Sequence, residues 1–454
     1  MRAAARGFSA FAGAPPEGKV LVDQELVIRG GHPLKGTVRA HGAKNAALPI
    51  MAGAILTEGT TILHRVPHLK DVHTMGAILG ALGVELEWTG PNSLRLTSPG
   101  AGGTVAPFDL AQRMRASICI LGPLLATRGA AVLPLPGGCV IGERPIDLHL
   151  RGLRALGAEI KVDGTTISAR AARLRGARVR MAGPRGSTVL GTANVLMAAT
   201  LAEGQTLIEG AAREPEIQNL AHYLVACGAQ ISGIGTRRLL VTGRRRLKGA
   251  EHALIPDRIE AATFLAAGAI TGGEVRVQDV CPAHMRATLR AMRRMGVETL
   301  EDERSLTAAR KEPLRAAQLA TAPYPGLPTD VQPQFSAMLC LAEGASVVTD
   351  RVYPHRFTHV EGLRLMGARI LRTGSKGVIN GVARLQGARV DAVDLRAGAA
   401  LVLGALAAEG VSSITGLDHV DRGYQDLEHM LKALGADVAR REASATPDRQ
   451  RRSA

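Results

Sequence analysis

Apolar and polar positions along this chain fall into an order that recurs. A stretch such as NVLMAATLA (194–202) is apolar nearly throughout and predicts a buried helix, which runs into a Glu-Gly turn and a β-branched strand. After a loop comes an amphipathic helix such as IQNLAHYLVAC (217–227), closed by a glycine suited to a left-handed C-cap. A further strand follows at once, as in AEIKVDG (158–164) and AQISGIG (229–235).

Six copies of this unit are visible. Helix ends of the form LGA recur at Gly83, Gly157, Gly228, Gly296, Gly367 and Gly435, spaced 74, 71, 68, 71 and 68 residues apart. Each is preceded by 23 to 28 residues by a turn glycine, in TEGTTI, TRGAAV, AEGQTL, TGGEVR, AEGASV and AEGVSS. Mixed helices and strands in a repeated unit predict α/β layers with helices against sheet faces. The period alone leaves an open solenoid as an alternative. Two polar interruptions, HGAKNAALP (41–49) and IPDRIEAATF (255–264), divide the copies into threes. Two similar lobes are therefore expected, over 45–255 and 256–442. The leading strand near 24–40 could join either, and we assign 24–44 to the second. The cleft between lobes is the expected ligand site.

Composition narrows the function classes. With 454 residues, 46% of them apolar, the chain can bury a large core, and no apolar run reaches the roughly 18 residues of a membrane span. Five cysteines without CxxC or Cys/His ligand spacing imply neither a disulfide framework nor a structural zinc site, and fit a reducing cytoplasm. The net charge of +16 invites a nucleic-acid reading, but part of it sits in expected disordered extensions at 1–23 and 443–454, and aromatic residues, the platforms for base stacking, make up 2%. A solvated basic surface is the simpler reading. The N-terminus lacks the long apolar core of a secretory signal.

Candidate chemistry centres on PGGCVIGERPIDLH (136–149), where Cys139 follows two glycines and precedes Glu143, Arg144, Asp147 and His149. A thiol in such a setting can be exposed and electropositive, which favours thiolate. Cys119, Cys227 and Cys340, in apolar helical runs, read as packing residues; Cys281 before Pro282 is ambiguous.

GAKNAALP (42–49), MRAS (114–117), LPGGCVIGERPIDLH (135–149), AAREPEI (211–217), PDRIE (256–260), PTDVQ (328–332), HRFTHV (355–360), DLRA (394–397) and DRGY (421–424) resemble, in order and spacing, the bacterial UDP-N-acetylglucosamine 1-carboxyvinyltransferases. The resemblance covers Leu26 to about Val438. It implies a two-lobed inside-out α/β barrel of six βαβαββ-type repeats, three per lobe, closing on its substrates. The implied reaction moves the enolpyruvyl group of phosphoenolpyruvate to the 3-hydroxyl of UDP-N-acetylglucosamine by addition and elimination, releasing phosphate, at the start of peptidoglycan synthesis. No cofactor or metal is implied. A cytoplasmic monomer or weak oligomer with these two small-molecule substrates, and no nucleic-acid partner, is expected.

By the same resemblance, Lys44, Arg144 and Arg422 hold the phosphate of phosphoenolpyruvate, and Arg356 and Arg396 lie near its carboxylate. Cys139 is implied as proton donor and as the thiol that fosfomycin alkylates. Asp330 is implied as base for the sugar hydroxyl, with Asp394 a further candidate in the proton traffic. Asn45, Arg115, Arg144, Pro145, Ile146, Asp147, Leu148, His149 and Val352 are implied for the nucleotide sugar. The chain departs from the family at 183–195, where Arg185 or Gly186 falls near a lysine used by some members, and at Gly398, where a serine is familiar. The glycines around Cys139 predict a loop that closes together with the lobes over the nucleotide sugar. Three other readings are a related carboxyvinyl transferase with another nucleotide acceptor, a 5-enolpyruvylshikimate-3-phosphate synthase-like enzyme, and a basic RNA-handling protein resembling the RNA 3′-phosphate cyclases.

Overall fold

The computed structural model describes residues 24–137 and 145–443. The expected extensions at 1–23 and 443–454, apart from Ala443, lie outside the described residues.

Six helices are buried on nearly every side: α1 (Lys44–Gly53), α2 (Leu121–Arg128), α3 (Val189–Ala199), α4 (Arg258–Ile270), α5 (Gln332–Leu339) and α6 (Leu395–Ala407). Their composition dictates this, because a helix that is apolar all round can only be stable inside. Every residue of α4 is buried. The helices α1 to α3 pack in one hydrophobic core, built from Ala43 to Leu254. The helices α4 to α6 pack in a second, built from Leu26 to Ala40 and Ile259 to Val438.

Sheets and amphipathic helices wrap these central helices, which makes each half an inside-out α/β barrel. In the third copy, Gln205–Glu209 pairs antiparallel with Arg238–Thr242 and parallel with Arg178–Arg180, and Gln230–Ser232 completes the sheet. The strands alternate buried and exposed positions, as expected when one sheet face covers a core. The amphipathic helices, such as Pro215–Ala226, each end at one of the six LGA-type glycines. Those glycines and the six turn glycines all have φ between 66° and 99°. That region penalises a Cβ, so the sequence marks each copy with the one residue that fits.

The N-terminal segment closes the second core. Gln24–Arg29 lies between Val411–Thr415 and Asp437–Glu442, and Lys35–Arg39 pairs with Glu274–Gln278. An end-to-end solenoid is thereby excluded, because the first strand completes the sheet of the last copy. The two polar interruptions prove to be the crossings between cores. Gly42 bridges Pro256, the Ala43 N–H donates to the Ile255 carbonyl at 2.8 Å, and the Asp257 N–H donates to the His41 carbonyl at 2.8 Å. A Cβ on Gly42 would sit 1.7 Å from the Arg65 carbonyl oxygen, so no larger residue fits this crossing.

Candidate active site

The candidate residues cluster at the N-terminal ends of the central helices. Lys44 opens α1, Arg115 opens the 3-10 turn Arg115–Ile120 that leads into α2, and Arg258 opens α4. Asp330 lies in the 3-10 turn Thr329–Val331 before α5, and Arg396 is the second residue of α6. Helix N-termini carry unpaired N–H groups and a positive dipole end, which favour anions. Asp257 and Asp394 cap α4 and α6: Asp257 accepts from the N–H groups of Ile259 and Glu260, and Asp394 from those of Arg396 and Ala397.

Two carboxylates organise the cations. Asp71, at the start of helix Lys70–Ala81, takes Lys44 Nζ at 3.1 Å on one oxygen and Arg422 Nε at 2.9 Å on the other. Lys44 and Asp71 belong to the first half and Arg422 to the second, so this triad spans the seam. Asp330 takes Arg356 Nη1 at 2.5 Å and Arg396 Nη2 at 3.3 Å. Arg396 also donates to the Tyr424 hydroxyl at 3.3 Å, where Thr263 of α4 and Gln334 of α5 meet it, so one phenol ties three central helices together. Asp350, fully buried, accepts from Thr329 Oγ1 at 2.6 Å and from the N–H groups of Val352 and Tyr353, fixing the turn that presents Asp330.

Four cations, Lys44, Arg356, Arg396 and Arg422, thus surround two carboxylates, and three of the four are at most 8% exposed. Burying unbalanced charge is costly, and the site shows it. Burial pushes the Lys44 ammonium down from its ordinary value, and the charges of Arg396 and Arg422 add to this against the pull of Asp71. The influence of Arg396 on Lys44 makes the two clusters one electrostatic site. Burial would raise the Asp71 carboxyl, but Lys44 and Arg422 outweigh it and hold it below the usual range. Such a surplus of fixed positive charge, mostly guanidinium, suits phosphate and carboxylate.

A second buried pair crosses the seam. Arg258 grips Glu216 of helix Pro215–Ala226 through two nitrogens at 2.9 and 3.2 Å, with its guanidinium carbon 5.6 Å from the Tyr324 ring centre. Beside it, the Tyr324 N–H donates to Glu214 at 3.3 Å.

The remaining candidates separate. Asn45 is exposed beside buried Lys44, and Arg115 is half-buried. Pro145 and Asp147 are exposed, and Ile146 and Leu148 half-buried, where helix Asp147–Ala155 begins. Val352 is half-buried on the Asp350 turn. His149 is turned into the core, 3.0 Å from Asn194 Nδ2; burial, helped by the Arg115 charge, brings its pKa to about 3. Asn194 Oδ1 receives the Gly122 N–H, which leaves its Nδ2 to donate and makes His149 Nδ1 an acceptor on a neutral ring. Asp394 has both oxygens engaged, one by the α6 cap and one by Thr358. Gly186 faces Pro323 across the seam, and a Cβ there would lie 2.6 Å from that ring. Cys139 and Arg144 lie outside the described residues.

A sequence profile described as EPSP synthase (3-phosphoshikimate 1-carboxyvinyltransferase) matches residues 28–438. The chain belongs to the EPSP synthase family. Within this family it is similar to the UDP-N-acetylglucosamine 1-carboxyvinyltransferase of Methylacidiphilum infernorum, 45% identical over 417 residues, which cover 92% of this chain and 99% of that protein. The enzyme of the same name from Granulibacter bethesdensis is 46% identical over 415 residues, 91% of this chain and 98% of its own. Among solved structures, the enolpyruvyl transferase NikO from Streptomyces tendae superposes with a TM-score of 0.85 at 24% identity, over 93% of this chain and all of that one. EPSP synthase from Acinetobacter baumannii gives a TM-score of 0.69 at 19% identity, over 92% of this chain and all of its own. At these identities the structures carry the fold alone.

Asp71, Asp350 and the Glu216–Arg258 pair were not singled out from the sequence. Arg258 and Glu216 lie in PDRIE and AAREPEI, and a charged residue entering an otherwise apolar helix is the signal that could have found Arg258. Asp71 offers no such signal, because an acidic residue in a first helical turn is ordinary.

Proposed function

We propose that this protein transfers the enolpyruvyl group of phosphoenolpyruvate to the 3-hydroxyl of UDP-N-acetylglucosamine, with release of phosphate, as the first committed step of peptidoglycan synthesis. The observation that carries this reading is the cationic surplus around Asp71 and Asp330 at the ends of the central helices, on a chain 45–46% identical to enzymes of that name over nearly their whole length.

Both substrates are anions and need fixed countercharge. Lys44 and Arg422, with Arg144, take the phosphate of phosphoenolpyruvate; Arg356 and Arg396 take its carboxylate. The acceptor hydroxyl adds to C2 while a proton reaches C3, and elimination then takes a proton from the new methyl group as the C–O bond to phosphate breaks. Asp330 accepts the hydroxyl proton, and Cys139 supplies the proton to C3. Its two arginine partners keep Asp330 positioned while it gives up one contact to substrate. Asp394, whose oxygens are spent on Thr358 and the α6 cap, is a positioning residue for Arg396 and not a proton carrier. Arg115, Asn45, Val352 and residues 145–149 form the wall for the nucleotide sugar, with His149 supporting it from the core. The two lobes close on both substrates in a cytoplasmic enzyme that acts as a monomer or weak oligomer.

The test is an acceptor panel read by mass spectrometry. With phosphoenolpyruvate present, UDP-N-acetylglucosamine should gain one enolpyruvyl unit and shikimate 3-phosphate none. Transfer to shikimate 3-phosphate, or to neither acceptor, would overturn the assignment.

A further inference from the structure

The sheet of the third copy carries a charged hollow that uses none of the residues of the site above. Arg178, Arg180, Glu209, Arg237 and Arg238 line it together with Ala182 and Gly210, and this open hollow has a volume of about 430 Å³. Pairing of the strands creates the cluster. Glu209 sits in register between Arg180 on one neighbouring strand and Arg238 on the other, and Arg178 lies two residues before Arg180 on the same exposed face.

Glu209 orders two of the four guanidiniums. Arg178 donates to it from Nε at 2.7 Å and Nη2 at 3.0 Å, and Arg238 from Nη2 at 2.9 Å. These hydrogen bonds, first from Arg178 and then from Arg238, hold the Glu209 carboxyl down to about 2, so it stays ionised and the two forks stay aligned. Arg180 and Arg237 have no carboxylate partner among the described residues. One carboxylate against four guanidiniums leaves three positive charges uncompensated in a concavity the size of a small-molecule site. A single monoanion cannot balance that, whereas two linked phosphate groups can engage several guanidiniums at once.

We propose that this hollow is a binding site for a diphosphate-type group, separate from the active site. Its source is either a free soluble diphosphate or a lipid headgroup carrying a diphosphate, which share the chemistry that Arg180 and Arg237 would read.

The experiment titrates the full chain with inorganic pyrophosphate in low-salt buffer by calorimetry. A parallel arm measures cosedimentation with vesicles containing diacylglycerol pyrophosphate. Charge-assisted hydrogen bonds of this kind predict that Arg180→Glu with Arg237→Glu weakens the pyrophosphate component about tenfold or more. Inorganic phosphate should bind wild type about tenfold more weakly than pyrophosphate on the same grounds. Loss of pyrophosphate binding alone assigns a soluble ligand; loss of vesicle binding with it assigns a headgroup. If the double variant fails to fold, Arg237→Glu alone, on its exposed loop, should weaken pyrophosphate severalfold. Unchanged pyrophosphate affinity in the variant that folds would overturn the proposal, because binding would then reside at the active-site cations. Retention of a homopolymeric RNA that pyrophosphate does not displace would overturn it in favour of nucleic acid.

Discussion

Asp330 and Asp394 both stand beside buried Arg396, yet their hydrogen bonds give them different work. Asp330 is held by the side chains of Arg356 and Arg396, which substrate anions can recruit, so Asp330→Asn should lower kcat about 100-fold or more, as loss of a positioned base does, with little change in melting temperature. Asp394 caps α6, so Asp394→Ala should cost about 1 kcal/mol of stability in thermal denaturation, with a smaller fall in kcat. Equal stability losses in the two variants would contradict this division. Asp71 has a depressed carboxyl, so its contribution is present above its unfolded value of 3.8 and is lost as pH falls through its lower folded value. Asp71→Asn should remove that acid-limb loss in pH-dependent denaturation and raise KM for phosphoenolpyruvate. The cations were legible in the sequence because they sit inside recognisable motifs; Asp71 was not, because Arg422, the partner that gives it meaning, lies 351 residues away. Cys119, Cys227 and Cys340 are buried, as their apolar helical runs suggested, with burial raising Cys119 and Cys340 to about 12 and Cys227 to about 11.

At the scale of elements, the six helix-end glycines and the apolar central helices could be read directly, since both follow from backbone conformation and burial within one copy. The sheets could not be completed in the same way. Strands Gln24–Arg29 and Lys35–Arg39 join copies six and four, a pairing that depends on the whole chain closing and leaves no local trace. The two crossings look like polar interruptions in sequence because they carry His41 and Asp257, which serve the junction. His41 donates its backbone N–H to Glu260 Oε2 at 2.7 Å, and its Nδ1 lies 2.9 Å from Oε1. Burial opposes charge on His41, but the hydrogen bond and charge of Glu260, with Asp426 and Asp257 nearby, raise its pKa above 6.5, while burial raises Glu260 as well. Both shifts mean that the folded state holds a proton more tightly than the unfolded one. The pair's stabilisation is therefore fully present below pH 6.5 for His41 and is lost as pH rises through its folded value. Melting curves should show this decline in wild type and a flatter one in His41→Gln; identical slopes would contradict it.

At the scale of the whole molecule, two halves meet at Asp71–Arg422 and Glu216–Arg258. The sole tryptophan, Trp88, is placed to report this: its ring stacks on His68 at 4.0 Å, and the His68 backbone N–H donates to Gln425 Oε1 of the other half at 2.7 Å. Adding UDP-N-acetylglucosamine should change Trp88 fluorescence and compact the particle in small-angle scattering, and Arg258→Ala should weaken both responses. The central claim is that these cations serve enolpyruvyl transfer to a nucleotide sugar, and phosphate release from phosphoenolpyruvate tests it most directly. Release should require UDP-N-acetylglucosamine, stop after fosfomycin treatment, and fall sharply in Cys139→Ala. Release at the same rate without the nucleotide sugar, or no release with both substrates present, would contradict the account.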